Sequence, residues 1–186
     1  MTGLSLYGFQ RECLDAIYQK FDEGETRPSA VIPTGGGKTV IFSTLIDEAL
    51  DRDDIAKGGR VLVLAHTTEL VEQAVDEFRM VNPSRRGSVG IVKAQRNEFR
   101  RDVVVASMQT LGSKRRRAMI KNVRLIIVDE CDLVMSKSYR TILTHFGAFG
   151  ALPCDDCDGR GYIPVPDSVF GAPCPAKCDD GKVGGF

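Results

Sequence analysis

Seven consecutive residues, Pro33-Thr34-Gly35-Gly36-Gly37-Lys38-Thr39, carry the clearest chemistry in the chain. Glycines here let backbone N–H groups turn inward and surround a polyphosphate. A helix starting directly behind them would add the partial positive charge of its N-terminus. Lys38 would then reach the outer phosphates, and the Thr39 hydroxyl would ligate Mg²⁺. One position departs from the usual pattern: Ile32 stands where a further glycine is expected.

A second cluster is acidic. The run Leu125-Ile126-Ile127-Val128 leads straight into Asp129-Glu130. A carboxylate at the end of a buried strand can hold Mg²⁺ through water. The acid after it can polarise an attacking water, which is general-base work. An acidic pair behind a strand is, by itself, more often a solvated loop. Together with the glycine loop it completes one site for MgATP.

The third cluster is sulfur. Four of six cysteines crowd the tail as Cys154-x-x-Cys157 and Cys174-x-x-x-Cys178. Two thiolate pairs at the ends of such an excursion can close a tetrahedral Zn²⁺ site. Residues 151–186 hold five of eight prolines and no long apolar run, so coordination would replace a core. The competing reading is a tail with chance cysteines.

These residues need elements to position them. Phe9, Cys13, Ile17 and Phe21 make one apolar helical stripe over 9–21. Ser29–Pro33 predicts a short strand, and 38–50 a helix. Gly58-Gly59 breaks the chain. Val61–Ala65, Val103–Ala106 and Leu125–Val128 are continuous apolar runs, as in strands covered on both faces of a parallel sheet. Residues 69–78 and 136–146 predict further helices. Alternation of this kind implies an α/β domain with a mainly parallel sheet flanked by helices, over 1–148, followed by a small cysteine-rich module over 149–186.

Composition narrows the partners less than the motifs do. The 25 Lys and Arg balance 25 Asp and Glu, so bulk charge advertises neither a polyanion nor a membrane. The tail carries six Asp against Arg160, Lys177 and Lys182, a net of −3, which leaves +3 for residues 1–150. Lys114-Arg115-Arg116-Arg117 reads either as a phosphate contact or as a solvated helix start. No run of ~18 apolar residues spans a membrane. The opening MTGLSLYGFQRE lacks the form of a secretory leader. A cytoplasmic setting with reduced thiols is expected.

The motifs also occur in a familiar order. The chain resembles the first RecA-like domain of superfamily 2 helicases, nearest the DEAD/DEAH and type III restriction-subunit groups. Tyr7-Gly8-Phe9-Gln10 resembles their upstream glutamine motif, Pro33–Thr39 motif I, Val61–Gln73 motif Ia, Val103–Leu111 motif Ib, and Val128–Asp132 motif II. The resemblance implies that Gln10 contacts adenine, and that Thr34, Gly35, Gly36, Gly37, Lys38 and Thr39 hold phosphates. It implies Mg²⁺ on Thr39 and Asp129, and Glu130 as catalytic base. It places His66, Thr67, Thr68, Ser107, Gln109 and Thr110 along a DNA or RNA single strand, touching backbone rather than bases. Many members end motif II with His, where this chain has Asp132.

The same resemblance implies a Ser/Thr-Ala-Thr motif and a second motor domain whose arginines stabilise the transferring phosphate. Residues 147–186 contain neither pattern. An arginine of that kind is worth ~10³–10⁵ in rate, so a slow ATPase is expected of this chain alone. A second motor domain would act as partner in trans. The segment Cys154–Gly161 resembles a zinc knuckle of DnaJ-type co-chaperones. The competing function is a non-catalytic adaptor, binding nucleic acid or protein through the zinc knuckle, with the nucleotide site as a switch.

Overall fold

Val61, Val63 and Ala65 alternate with Leu62 and Leu64, and all five are buried. They lie in β1 (Arg60–Ala65), the second-to-last strand of a five-stranded sheet. A computed structural model describes residues 6–130, 134, 136–148, 152–153, 162–163, 172–173 and 182–183, with the side chains of 53, 54 and the tail excepted. They divide into two compact units, 1–134 and 135–186. Composition placed the boundary later, at 148/149.

The first unit opens with α1 (Gly8–Asp22), α2 (Lys38–Leu50) and the single turn α3 (Asp53–Ala56). After β1 come α4 (Thr68–Val81), β2 (Val89–Lys93), β3 (Arg96–Asn97) and β4 (Val103–Ser107). Two short helices, α5 (Met108–Leu111) and α6 (Lys114–Arg117), precede β5 (Val123–Val128). Sheet order is β3-β2-β4-β1-β5, parallel throughout except for the β2–β3 hairpin.

Burial explains the order. One face of β1, β2 and β4 offers Val61, Val63, Val89, Ile91, Val103 and Val105 to Ile46, Ala49, Val71, Val75 and Phe78 of α2 and α4. A second cluster joins Leu14 of α1 to Ile41 and Leu45 of α2, with Ile32 and Ile127 against it. Asn82, 1% exposed, ties the end of α4 to α2 by donating from Nδ2 to the Ser43 carbonyl at 3.0 Å.

Two elements differ from the sequence reading. Ser29–Pro33 joins no ladder, although Ile32 packs beside Ile127. Pro28 and Pro33 flank only four residues, and prolines donate no ladder hydrogen bond. Val31 is 97% exposed. The β2–β3 hairpin was not anticipated. Its return strand crosses so closely that a Cβ on Gly90 would sit 2.4 Å from the Glu98 carbonyl oxygen.

The second unit begins with α7 (Lys137–His145), which buries Tyr139, Ile142, Leu143 and Thr144. Four two-residue strands follow: β6 (Leu152–Pro153), β7 (Tyr162–Ile163), β8 (Ala172–Pro173) and β9 (Lys182–Val183). β6 pairs antiparallel with β9, and β7 with β8.

Candidate functional site

Register brings the chemistry to one edge. Ala65 is opposite Ser107, and Leu64 opposite Val128, so β1, β4 and β5 end level with one another. The residues just beyond are His66–Thr68, Met108–Thr110 and Asp129-Glu130. Ligands of open parallel sheets collect at this carboxyl edge.

The glycine loop enters α2 at the first unit's sheet. Gly37 is the N-cap of α2, with φ +72° and no side chain to satisfy the first turn. Those N–H groups are left for a bound anion. The left-handed backbone is one reason for glycine here. The other is space, since a Cβ would lie 2.4 Å from Gln10 Nε2.

Gln10 is 4% exposed and spends both ends of its amide. Its Oε1 accepts from the Tyr7 N–H at 3.0 Å, and its Nε2 donates to the Gly36 carbonyl at 3.2 Å. The residue expected to contact adenine thus braces the phosphate loop against the start of α1. Beside it, Tyr7 and Phe9 stack at 6.1 Å and stay 72% and 51% exposed. The sequence reading put Phe9 in the apolar stripe of this helix, where the structure leaves it exposed, and gave Tyr7 no role of its own.

The helix bearing Gln10 is clamped. Arg11 Nη1 meets Glu48 Oε1 at 2.7 Å, and Tyr18 donates to Glu48 Oε2 at 2.6 Å, joining α1 to α2. Carboxylates of Asp15 and Glu48 hold the Arg11 guanidinium protonated still more firmly than usual. Burial, then the bond to Glu48, pushes the Tyr18 hydroxyl well up.

At the acidic corner, Lys38 Nζ lies 3.5 Å from Asp129 Oδ1. That oxygen is shut from solvent and accepts no hydrogen bond. A buried, unsatisfied carboxylate oxygen beside a lysine and a helix N-terminus suits a cation carrying phosphate oxygens. Thr39 is the second residue of α2. The Asp129 carboxylate fits the Mg²⁺ role expected of it. Glu130 follows, exposed, with φ +58°. Cys131 and Asp132 lie outside the described residues.

The six residues expected along a nucleic acid separate by exposure. Thr67 caps α4, accepting from the Leu70 N–H at 3.4 Å, and Glu69's own N–H, then the Thr67 hydroxyl, holds the Glu69 carboxyl below its usual range. Ser107 is 0% exposed and caps α5, accepting from the Thr110 N–H at 3.3 Å. His66 and Gln109 are exposed, Thr68 and Thr110 half-buried. Thr68, Gln109 and Thr110 line a cleft of about 340 Å³ with Ala94, Ser113 and Arg116.

Cys154, Cys157, Cys174 and Cys178 lie outside the described residues. Among the described residues, no group of three or more His, Cys, Asp or Glu is placed to hold a metal ion. No described helix is long and apolar enough to cross a membrane.

A mixed α/β sheet with a glycine loop and strand-end acids on one edge defines a nucleotide-binding domain of helicase type. Residues 3–152 match the family described as type III restriction enzyme, res subunit, and the chain belongs to that family. It is 34% identical over 145 residues to a Saccharomyces cerevisiae protein named as an ATP-dependent helicase, IRC3, covering 77% of this chain and 21% of the relative. A Schizosaccharomyces pombe protein named as a mitochondrial ATP-dependent helicase, irc3, is 35% identical over 149 residues, covering 78% and 24%. The chain thus spans under a third of either relative. Among solved structures, the UvsW helicase of bacteriophage T4 shares the fold, with a TM-score of 0.58 at 20% identity over 76% of this chain and 48% of that one. The Pyrococcus furiosus Hef helicase domain gives 0.52 at 28% identity over 68% and 28%. This kinship favours the helicase-type reading over the adaptor.

Proposed function

We propose that the domain binds MgATP in the loop Pro33–Thr39 and hydrolyses it slowly, in work coupled to a DNA or RNA strand lying across the ends of β1 and β4. The observation that carries this is the meeting of Lys38 with the unsatisfied Asp129 oxygen beneath an uncapped helix N-terminus. Lys38 and the α2 amides would bind phosphates. Thr39 and Asp129 would hold Mg²⁺, which when bound neutralises charge on the phosphate oxygens. Glu130 would take the proton from the attacking water. Gln10 would meet adenine by exchanging one of its two present bonds. A second motor domain, in trans or in a longer chain, would supply the arginine that speeds transfer.

We extend the proposal to the tail, where the cysteines would bind one Zn²⁺. The β6–β9 ladder pairs Pro153 with Lys182, and the β7–β8 ladder pairs Tyr162 with Pro173. In sequence, residues 154–161 separate β6 from β7 and residues 174–181 separate β8 from β9. Each interval contains one cysteine pair. Two such thiolate pairs suit tetrahedral zinc. The cytoplasmic setting belongs to the same proposal, and the fission-yeast relative's name assigns that protein to the mitochondrion.

The test is titration of a fluorescent ATP analogue, with and without Mg²⁺, into the wild type and Lys38→Ala, together with ATPase assays with and without single strands. Binding that depends on Lys38, with slow turnover, is expected. Equal affinities for the two proteins would remove the nucleotide site.

A further inference from the structure

We propose that Arg116 is the phosphate-contacting cation of the strand-binding edge, and that the tip of the β2–β3 hairpin holds it ready. The proposal rests on the nucleic-acid reading above and assigns one residue of the basic run to it.

The four basic residues 114–117 look alike in sequence but separate in space. Arg117 is 8% exposed, and its Nη1 donates to the carbonyls of Leu111 at 2.7 Å and Gly112 at 2.9 Å. Its guanidinium ties α5 to α6, and burial lowers its pKa. Lys114 and Arg115 are exposed and do not line the cleft. Arg116 is half-buried and does line it, with Thr68, Gln109, Thr110 and Ser113.

Among the described residues, that lining has one cation, three hydroxyl side chains, one amide and no carboxylate. A phosphodiester, with one negative charge and several acceptor oxygens, is its chemical complement. The hairpin side is neutralised in advance. Lys93, at the end of β2, pairs with Glu72 at 2.6 Å, so that acid does not repel an incoming phosphate.

The hairpin also positions the guanidinium. Ala94 has φ +42°, in the left-handed region that costs a non-glycine residue about 1–2 kcal/mol. Its carbonyl accepts from Arg116 Nη2. A strained residue thus presents an acceptor to the Arg116 guanidinium in the cleft. Glu98 secures the hairpin behind it, accepting from the Ile91 N–H at 3.1 Å and from Arg96 Nη2 at 2.8 Å. Phosphate would replace the neutral carbonyl with a charged acceptor, or take the remaining guanidinium N–H groups, at little ordering cost.

The experiment is fluorescence anisotropy with a fluorescein-labelled oligothymidylate over a salt series, on the wild type, Arg115→Ala, Arg116→Ala and Arg116→Lys. Far-UV circular dichroism checks that each is folded. Arg116→Ala is expected to bind roughly tenfold more weakly, with a log K against log salt slope shallower by about 0.7. Arg116→Lys should recover the slope and part of the affinity. Arg115→Ala should keep most of both. Wild-type affinity and slope in folded Arg116→Ala would overturn the assignment and leave strand binding standing. No binding by the wild type at low salt would overturn the nucleic-acid reading, and this assignment with it.

Discussion

Lys38 Nζ and Asp129 Oδ1 lie 3.5 Å apart, so the residues proposed to bind phosphate and to hold the metal face each other. Half-exposed pairs of this kind are worth ~0–1 kcal/mol, so MgATP can part them at small cost. Lys38→Ala should lose at least about tenfold in ATP affinity, since charged hydrogen bonds contribute roughly 1.5–3 kcal/mol each. Asp129→Asn should still bind ATP but lose the Mg²⁺ dependence of binding. Analogue titrations with Mg²⁺ and with chelator measure both. Full Mg²⁺ dependence in Asp129→Asn would put the metal elsewhere.

Gln10 and Gly37 are mutually fitted. Gly37→Ala places a methyl 2.4 Å from Gln10 Nε2 in a backbone with φ +72°. The backbone alone costs about 1–2 kcal/mol, and Gln10 must leave Gly36 as well. Gly37→Ala should therefore lower the melting temperature and weaken ATP together. Gln10→Ala relieves the clash but frees the loop, so the double variant should melt above Gly37→Ala alone. Additive losses in a thermal double-mutant cycle would show that the two residues do not couple.

Glu130 carries a backbone cost where hydrolysis is proposed to occur, with φ +58°. Such strain persists where function requires the side chain. Glu130→Gln should keep ATP binding and lose hydrolysis. Glu130→Gly should lose hydrolysis and gain up to about 1–2 kcal/mol by shedding the left-handed cost, whereas the β-branched Glu130→Val should melt below the wild type. Calorimetry and single-turnover ATPase separate the two effects. Undiminished hydrolysis in Glu130→Gln would assign the base to another group.

Much of this was legible in the sequence, and the exceptions have physical causes. Val61–Ala65, Val103–Ala106 and Leu125–Val128 announce themselves because strands covered on both faces need unbroken apolar runs. β2 hid because Gly90 interrupts its run, and that glycine is needed by a chain crossing brought from Glu98. Ser29–Pro33 has strand composition, but its flanking prolines limit pairing. Thr67 and Ser107 were expected to face a nucleic acid, yet a hydroxyl before a helix serves equally as a cap, and only burial separates the two uses. Gln10 was legible as a candidate for the nucleotide site. Its bond to Gly36, 26 positions away, was not. The basic run 114–117 shows the same limit, since four similar residues acquire different environments only once α6 packs.

The hairpin behind Arg116 should loosen in acid. Arg96 is the main cause that holds the Glu98 carboxyl below the usual range, and the Ile91 N–H adds to it. A depressed folded pKa stabilises above the unfolded value, about 4.3 for Glu. The contribution is lost as pH falls through the folded value. Amide exchange at Ile91, corrected for intrinsic rates, should be protected near pH 6 and lose protection below about pH 4. Glu98→Gln should show weaker protection and little pH dependence. Identical pH profiles in the two proteins would assign the loosening to another group.

The tail offers a test that separates metal from nucleotide. Between the residues paired in the ladders Pro153–Lys182 and Tyr162–Pro173 the sequence leaves two equal intervals, each with one cysteine pair. Two-residue ladders are too short to stand alone in water. Coordination is the natural source of their order, because binding free energy at a structural zinc site is folding free energy. Metal analysis of purified protein should give close to one zinc per chain. Cys157→Ser should release it and expose residues beyond 150 to protease. The nucleotide site draws on α2, β5 and the core of the first unit, and none of its proposed ligands lies in the tail. Removing zinc with a zinc-selective chelator in excess Mg²⁺ should therefore leave ATP-analogue affinity within about twofold, well inside the ~1.4 kcal/mol that a tenfold change represents. Purified protein that lacks zinc yet resists protease beyond residue 150 would show that the ladders hold without metal. Loss of ATP affinity on zinc removal, with Mg²⁺ still in excess, would show instead that the tail supports the nucleotide site.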